Sequence, residues 1–540
     1  MLKKPFVILF LIVIIASFLR LYQLGVVPPS VISDEASIVY NAYSILKTGR
    51  DEWGNFLPLS FPAFGDNKLP GLIYATVPSV FVFGLNEFST RLPSAIFGIL
   101  TVIAVYFLSL EIFRDRKTAL LTSLFTAISP WSLHISRMAI EANMAIFFTV
   151  LGVLLFFKSF KKQKLLFLSF LSFSATFYIY NSNRVFVPLL VLSLLVIYRK
   201  ELGNFKKNLL LPILVFALVT LPVSKHFIEQ SITGRFSKVA VTADYGMTYN
   251  INDEREFCTR SLPKAVCYAA SNKAVKYVDA IIKNYISHYS ARFLFLTGPE
   301  NLKHYSLPDF GEYYIFQLPL FLFGILYLMQ KKQKESYFLI SWLIFFPVAS
   351  SLTSIAHPIR SAVGVPVFEI IMAYGLITFL KNIKSPKLKY IFLILVFALA
   401  FLNINEYLFR YYVKYSKDYS EVFQYGYREA FQFTKEEEKN NSKIVVTKKY
   451  GEPQIFYLFY NKIDPKWYQE SPEVTKTERS DKWKDVKKIG MYYFRDLSAE
   501  KPIKESGTLF VLNPNELNGS ITTTKTIMYL NGKPVFHLAK

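Results

Sequence analysis

The chain is poor in metal-binding residues and in repeated sequence. Its 540 residues include only two cysteines and six histidines, and neither these nor the aspartates have the spacing of a metal site. No stretch of low complexity and no repeat of fixed period is present. The sequence therefore excludes a repeat architecture, and we expect neither a metal ion nor any other cofactor.

Charge is scarce within the long apolar blocks and unbalanced outside them. Hydrophobic residues make up 52% of the chain, and the mean hydropathy is positive. This is too much for one soluble core, so the composition predicts an integral membrane protein. The formal net charge is +23, but the basic residues gather in short connections between apolar blocks, as orientation in a bilayer requires. Nucleic acid is therefore not an expected partner.

The N-terminus resembles a signal sequence that lacks a cleavage site. Lys3 and Lys4 precede an apolar run from Pro5 to Leu19, and no small-x-small pattern follows it. We predict an uncleaved first span with its N-terminus in the cytoplasm of a cell that carries the protein in its plasma membrane. The basic connections then alternate with connections of few positive charges; they are Arg114–Lys117, Lys158–Lys164, Arg199–Lys207, Lys331–Glu335 and Lys381–Lys389.

This alternation decides how one ambiguous segment is interpreted. The apolar run from Leu69 to Gly84 contains Pro70 and Pro78 and is short against the roughly 20 residues that a spanning helix needs. As a span it would place every later lysine-rich loop outside the cell, against the positive-inside bias. We therefore predict an amphipathic or re-entrant piece at the outer surface, with an ordinary short span as the alternative.

The predicted fold is an all-α membrane domain of about eleven spans with juxtamembrane helices, followed by an extracytoplasmic α/β domain. Residues 1–405 form the membrane domain, and residues 25–87, 224–311 and 406–540 face the exterior. A helix from Tyr419 to Glu438 and strand-like runs at Ile444–Thr447, Thr508–Leu512 and Thr526–Leu530 indicate the α/β domain. The predicted spans after the first are Phe88–Phe113, Thr118–His134, Ile140–Phe157, Leu165–Tyr180, Val185–Tyr198, Leu209–Val223, Glu312–Gln330, Ser336–Leu352, Ser361–Leu380 and Tyr390–Asn403.

Both cysteines lie in the second exterior region. Cys258 and Cys267 are nine residues apart, and disulfides persist outside the reducing cytosol. The pattern favours a disulfide that closes a small ring, with two unrelated free thiols as the alternative.

Charged residues near the predicted outer membrane surface are candidates for chemistry. Cations and carboxylates on one membrane face fit a reaction on a lipid phosphate whose tail stays in the bilayer. A transporter would instead show charges at mid-membrane and paired broken helices. The candidates are Asp34, Glu35 and Lys68 of the first loop, then Arg137, Glu141, Arg184, His357 and Arg360.

Each candidate also has an ordinary explanation. A single arginine at a helix end, such as Arg137 or Arg184, often extends to a lipid headgroup without catalytic duty. Asp34 can serve as a helix N-cap, and His357 beside Pro358 can be a plain turn histidine. Their coincidence on one face is what favours a functional site.

Several short segments together resemble the polytopic glycosyltransferases of the GT-C fold. The branch is that of the protein O-mannosyltransferases and the bacterial lipid A aminoarabinose transferases, and the resemblance covers roughly residues 1 to 405. No segment is diagnostic alone; their order and spacing carry the resemblance. They are Ser33–Ala36, Lys68–Tyr74, Phe83–Ser94, Thr101–Tyr106, Ser136–Glu141 and His357–Arg360, followed by Pro366 and Tyr374-Gly375.

The resemblance implies roles for individual residues. Asp34 matches the essential acid of the first exterior loop, Glu35 is its neighbour, and Lys68 matches a basic residue of the lipid-phosphate site. Glu141 stands where relatives often carry aspartate, and the tail resembles no accessory domain of the eukaryotic mannosyltransferases. The implied donor is a sugar on a polyprenyl phosphate, used on the extracytoplasmic face.

A mechanism follows as a hypothesis. Asp34 accepts the proton of an acceptor hydroxyl, which attacks the anomeric carbon and inverts it. The departing lipid phosphate is neutralised by Lys68, Arg137 and Arg360, with Arg184 and His357 as further candidates. The acceptor is a protein, a lipid or a polysaccharide, and the alternative function is a non-enzymatic lipid-linked sugar transporter or polysaccharide export component.

Overall fold

The structure is a computed structural model that describes residues 3–203, 206–233, 240–243, 246–478, 484–497 and 502–540. It is mostly helical and ends in a sheet domain, as the sequence predicts. The α-helices span Lys3–Leu21, Ser33–Thr48, Pro70–Phe83, Glu87–Phe113, Arg116–Ile128, Pro130–Ser136, Glu141–Ser159, Leu165–Thr176, Asn183–Ile197, Arg199–Leu202, Lys206–Thr233, Gly246–Thr259, Lys264–Ala270, Lys273–Ser287, Gln317–Lys331, Lys334–Phe345, Val348–Ser351, Val365–Asn382, Pro386–Phe409, Tyr415–Asp418, Tyr427–Glu437, Pro453–Tyr460 and Pro465–Glu470.

Five helices of the described residues are long and apolar enough to cross a membrane. They are Lys4–Leu21, Glu87–Phe113, Glu141–Ser159, Ala362–Asn382 and the continuous helical stretch Pro386–Asp418. The protein is thus a multi-pass membrane protein, while the number of eleven spans stays a prediction. Pro70–Phe83, Leu165–Thr176, Asn183–Ile197 and Leu210–Val223 are apolar but shorter, and the first of these is the segment that we predicted to lie at the surface.

Prolines break two of the predicted spans. Ser129 has an extended backbone with ψ 127°, which is the conformation that a following proline favours, so Thr118–His134 becomes the helices Arg116–Ile128 and Pro130–Ser136. Pro347 likewise divides Ser336–Leu352 into Lys334–Phe345 and Val348–Ser351. A proline ring blocks the backbone hydrogen bond that would continue each helix.

One compact unit of the chain comprises Met1–Ile12, Thr101–Ser132 and Ala145–Asn403. Its helices Gln317–Lys331 and Val365–Asn382 pack closely, because Gly324 and Gly375 leave room where a side-chain carbon would lie within 2.2 Å of the facing backbone. Helix Lys206–Thr233 continues beyond the end predicted at Val223. Residues 204–205 of the predicted basic connection, and 234–239 and 244–245 of the predicted exterior region, lie outside the described residues.

The same unit contains both cysteines. Cys258 lies near the end of helix Gly246–Thr259, and Cys267 lies in helix Lys264–Ala270. The two cysteines are joined in a disulfide. The bond closes the short connection between these helices, as the sequence predicts.

The second compact unit comprises Val13–Leu100, Leu133–Met144 and Ile404–Lys540. It therefore groups the first loop with the C-terminal residues, a grouping that the sequence-based division at residue 405 does not include. Two strands of the first loop, β1 (Phe61–Ala63) and β2 (Asp66–Lys68), form an antiparallel hairpin. The C-terminal strands are β3 (Lys443–Thr447), β4 (Val474–Glu478), β5 (Lys484–Ile489), β6 (Tyr492–Arg495), β7 (Thr508–Leu512), β8 (Thr523–Met528) and β9 (Pro534–Ala539).

The C-terminal strands form one mixed sheet in the order β4-β5-β6-β3-β7-β9-β8. Strand β3 pairs in parallel with both β6 and β7, and buried Val445, Phe510 and Leu512 contribute to the core. The prediction of a helix over Tyr419–Glu438 is wrong for the first turns. The observed helix covers only Tyr427–Glu437, because Gln424 and Gly426 before it have left-handed backbone conformations.

Candidate active site

The first-loop hairpin brings Lys68 to a defined position. Phe64 and Gly65 connect β1 to β2 with φ values of 50° and 72°, the left-handed pair that a tight two-residue hairpin turn requires. Lys68 ends β2 opposite Phe61. Pro70 then starts helix Pro70–Phe83 at the position where proline is best tolerated.

Asp34 lies in the first turn of helix Ser33–Thr48 and forms an ion pair with Lys68. The Lys68 Nζ donates to Asp34 Oδ1 at 2.6 Å. The side chain of Asp34 is 47% exposed and that of Lys68 is 10% exposed. The carboxylate is thus held in place and remains accessible to a substrate.

Lys68 lies in an acidic environment. Burial alone would lower the pKa of its ammonium, but the negative charges of Asp34 and Glu141 raise it, and the net pKa is above the usual value. Asp66 acts in the same direction. Lys68 is therefore a permanent cation at neutral pH, and Glu141 is electrostatically part of the same cluster.

Glu35 has the opposite surroundings. Its residue is 1% exposed, and its two oxygens accept from Arg91 Nε at 3.0 Å and Nη2 at 3.1 Å. It also accepts from the backbone N–H groups of Ala139 and Ile32. A buried carboxylate with these donors is satisfied, and this geometry favours a structural role for Glu35. Its predicted catalytic role stays a prediction.

Arg137 is buried and bonded to main chain. Its guanidinium donates to the carbonyl oxygens of Leu19, Arg20 and Val27 at 2.8 to 3.1 Å and lies 4.9 Å from the centre of the Tyr412 ring. These contacts fix the chain as it leaves the first helix. A direct role in binding lipid phosphate stays a prediction, and the geometry favours a structural role.

The C-terminal domain holds helix Ser33–Thr48 at both ends. At its start, Ser33 donates its N–H to Gln424 Oε1 at 2.8 Å, and Gln424 Nε2 donates to the Tyr450 carbonyl. At its end, Gln469 Nε2 lies 2.9 Å from Ser44 Oγ. The helix that carries Asp34 is therefore positioned by residues 391 and 425 positions later in the chain than their partners.

A second carboxyl, Glu52, is buried near this helix. Its Oε1 accepts from Asn41 Nδ2 at 3.0 Å, and its N–H donates to Asn41 Oδ1. Burial raises the pKa of Glu52 to about 7, although the Asn41 hydrogen bond lowers it. The first loop thus contains a carboxyl group that titrates near neutral pH.

The remaining candidates belong to the other compact unit. Arg184 lies in the first turn of helix Asn183–Ile197 and donates its Nε–H to the Phe177 carbonyl at 3.1 Å. His357 Nδ1 accepts from the N–H of Ile359 within its turn, and Arg360 Nη1 donates to Thr353 Oγ1 at 2.7 Å. Because helix Asn183–Ile197 packs against Val348–Ser351, which leads into this turn, the three cations come from neighbouring elements.

Comparisons with known proteins agree on one fold. The family model of dolichyl-phosphate-mannose-protein mannosyltransferases matches residues 9–224. The structure is similar to that of ArnT from Cupriavidus metallidurans bound to undecaprenyl phosphate, with a TM-score of 0.56, 10% identity and coverage of 98% of this chain and 97% of the other. This chain has the GT-C fold.

Two further proteins are similar to parts of this chain. The oligosaccharyltransferase AglB from Archaeoglobus fulgidus, in complex with an inhibitory peptide and a dolichol-phosphate, aligns with a TM-score of 0.50 and 13% identity over 82% of this chain and 62% of its own. YkcB of Bacillus subtilis, named as a candidate mannosyltransferase, is 27% identical over 165 residues. That match spans 30% of this chain and 22% of YkcB.

Sequence reasoning missed three residues that lie close to the candidate site. They are Arg91, Glu52 and Gln424. A basic residue within the apolar helix Glu87–Phe113 was a usable signal for Arg91, because a charge there needs a partner. Glu52 lies in no recognisable motif, and Gln424 carries no such signal because its contact with Ser33 joins residues 391 positions apart.

Proposed function

We propose that this protein is a membrane glycosyltransferase that moves a sugar from a polyprenyl-phosphate donor to an acceptor hydroxyl. The observation that carries the proposal is the Asp34–Lys68 pair, in which an accessible carboxylate is tethered at 2.6 Å to a cation that is only 10% exposed. The match to the mannosyltransferase family over residues 9–224 supports the reaction class. The polyprenyl phosphates bound by ArnT and AglB support the donor class.

Asp34 acts as the general base in this proposal. Its carboxylate takes the proton of the acceptor hydroxyl as the acceptor oxygen bonds to the anomeric carbon, and the bond from that carbon to the phosphate oxygen breaks. The electron pair leaves with the lipid phosphate, and attack from the opposite face inverts the anomeric centre. A positioned base contributes about 10²- to 10⁴-fold in rate.

Lys68 meets the negative charge that develops on the leaving phosphate. Its ammonium has three donors, of which one is used by Asp34, so it can hold the base and the phosphate together. Loss of one such preorganised donor costs about 10²- to 10³-fold. Arg184, His357 and Arg360 remain proposed lipid-phosphate ligands, and we place the reaction on the extracytoplasmic face.

The reaction class is tested with membranes that contain the full chain and a panel of radiolabelled polyprenyl-phosphate sugars. The proposal expects label to enter protein, lipid or polysaccharide through a new glycosidic bond. Movement of label across sealed vesicles without a new bond would contradict it and favour a transporter.

The role of Lys68 is tested in the same assay. Lys68→Ala should slow transfer by at least about 10²-fold, with Lys161→Ala, an exposed lysine, as the matched control. Unchanged transfer by the Lys68→Ala variant would remove Lys68 from the reaction centre.

A further inference from the structure

Helix Lys273–Ser287 of the second exterior region has an exposed apolar face. Large apolar side chains recur along it at spacings of three and four residues, which places them on one side of the helix. Each of these residues is between 44% and 61% exposed, so none belongs to the core; they are Val275, Val278, Ile282 and Ile286. We call this set the apolar stripe and the helix that carries it the stripe helix.

The opposite side of the stripe helix packs against the protein. Asn284 and, directly after the helix, His288 are buried. Asn284 Nδ2 donates to the Ser351 carbonyl at 3.0 Å, and His288 Nε2 lies 2.8 Å from Ser350 Oγ. These contacts fix the rotation of the stripe helix about its axis, and the apolar stripe faces away from the protein.

The end of the stripe helix is attached to an apolar helix that belongs to a predicted membrane span. Tyr285 donates its hydroxyl to the Ile344 carbonyl at 2.9 Å, and Tyr289 donates to the Leu343 carbonyl at 2.7 Å. Both carbonyls lie in the last turn of helix Lys334–Phe345, which starts in a basic connection. The positive-inside bias predicts that this start is cytoplasmic and that the last turn lies at the outer membrane surface.

A charged edge lies beside the apolar stripe. Lys276 and Lys283 are seven positions apart and therefore share one side of the stripe helix. Lys283 pairs with Asp279 at 2.7 Å, and both side chains are exposed to solvent. Lys276 pairs with Glu254 at 2.6 Å, also at the surface. An exposed apolar face with lysines beside it is typical of a helix that lies in the membrane interface.

The stripe helix also contacts the turn that carries two of the proposed lipid-phosphate ligands. Ser287 Oγ accepts from the N–H of Ala356 at 2.8 Å. Ala356 directly precedes His357, and Arg360 follows in the same turn. The depth of the stripe helix relative to the bilayer therefore sets the depth of this turn.

We propose that the stripe helix lies along the outer surface of the bilayer and inserts the apolar stripe between the lipids. Exposed apolar surface of this kind marks an interaction site. Lipid is favoured over a second protein because the stripe helix is attached to the outer end of a predicted span, and because the lysine edge suits lipid headgroups. In this position the helix holds His357 and Arg360 at the level of the headgroups.

The proposal is tested by electron paramagnetic resonance on the full chain in lipid nanodiscs. A nitroxide is attached to an introduced cysteine, either Ile282→Cys on the apolar stripe or, as the matched control one residue later, Lys283→Cys on the charged edge. The two native cysteines are bonded to each other and do not react with the label. Collisions with oxygen, which concentrates in the bilayer, are compared with collisions with a water-soluble nickel chelate.

The nitroxide at position 282 should collide mainly with oxygen, at a depth of about 5 to 10 Å below the headgroup boundary. The nitroxide at position 283 should collide mainly with the chelate. Val278→Cys is the second stripe variant if Ile282→Cys is poorly folded, and it should behave as Ile282→Cys does.

Two outcomes would overturn the proposal. Collision mainly with the chelate at the stripe position would place the apolar stripe in water. Shielding of that position from both reagents would mean that a protein surface, such as a second copy of the chain, covers it. The measurement needs neither donor nor acceptor, so its result is independent of the proposed glycosyl transfer.

Discussion

Two adjacent carboxylates in this protein have different surroundings. Asp34 is 47% exposed and paired with Lys68, whereas Glu35 is buried and bonded by Arg91. Because both lie in the first turn of one helix, a rotation of about 100° per residue directs them to different surroundings. Of the two carboxylates, only that of Asp34 is accessible from outside the fold, while that of Glu35 is bonded to Arg91 and to the backbone N–H of Ala139.

The structural role of Glu35 predicts a stability effect. Glu35→Gln leaves the buried Arg91 guanidinium without its counter-charge, and breaking a buried pair in this way costs about 3 to 5 kcal/mol. We expect a lower thermal unfolding midpoint in nanodiscs and a lower yield of folded protein. Glu436→Gln, at an exposed position, should unfold as the wild type does. An unfolding midpoint unchanged by Glu35→Gln, with transfer lost, would instead make Glu35 a catalytic group.

The raised pKa of Glu52 predicts that the stability of the protein depends on pH. Its folded-state pKa is raised from 4.5 to about 7, so the folded protein keeps a proton that the unfolded chain releases at lower pH. The stabilising effect of that proton is complete below the unfolded pKa and is lost as the pH rises through about 7. The loss is of the order of 3 kcal/mol, from 1.36 kcal/mol per pKa unit.

This dependence is measured as the difference in unfolding midpoint between the wild type and Glu52→Gln at pH 5 and pH 8. The wild type should lose stability relative to the variant as the pH rises, because the amide cannot ionise. Parallel pH profiles for the two proteins would mean that Glu52 does not titrate in this range.

At the scale of elements, the position of helix Ser33–Thr48 in the first loop depends on contacts with the C-terminal domain. Gln424 has a φ of 52°, a conformation that non-glycine residues adopt at some cost, and in it the side chain accepts from the Ser33 N–H at the helix start. The C-terminal domain thus contacts the start of the helix that carries Asp34.

Gln424→Ala should lower the transfer rate without weakening donor binding. The change removes the bond that fixes the helix start, and a displacement of about 1 Å in a reacting group costs up to about 10²-fold. The expected signature is a lower kcat with an unchanged KM for the donor, and Gln424→Glu, which keeps the accepting oxygen, should recover part of the rate. Equal rates for Gln424→Ala and the wild type would show that this contact does not position the base.

The sequence predicts most helices because apolar runs are a strong local signal. It misplaces ends where a proline or a left-handed residue intervenes, as at Pro130 and Gln424. The pairing of Asp34 with Lys68 was not predicted either, although both residues were named. The hairpin that positions Lys68 turns at Phe64-Gly65, which lacks the asparagine or aspartate that usually identifies such a turn in a sequence. Contacts between residues that are hundreds of positions apart, such as Gln424 and Ser33, produce no periodic pattern in the sequence and could not be predicted from it.

At the scale of the whole molecule, the candidate residues that the sequence names are divided between the two compact units. Asp34 and Lys68 belong to one unit, and Arg184, His357 and Arg360 belong to the other. The alternation of basic connections predicts that all of them face the exterior.

The predicted orientation can be measured with introduced thiols, because both native cysteines are bonded to each other. Phe56→Cys, at an exposed first-loop position, should react with a membrane-impermeant maleimide on intact cells. Lys162→Cys, in an exposed basic connection, should react only after permeabilisation. The opposite pattern would reverse the orientation and exclude chemistry on the outer face.

The most direct test of the account is the single-turnover rate of transfer by purified Asp34→Asn protein. With the donor and acceptor that the panel identifies, the rate should fall by about 10²- to 10⁴-fold while the labelled donor still binds. Asp418→Asn, at an exposed aspartate, should react at the wild-type rate. Near-normal turnover by Asp34→Asn would contradict the account, because the carboxylate at residue 34 would then not be the base.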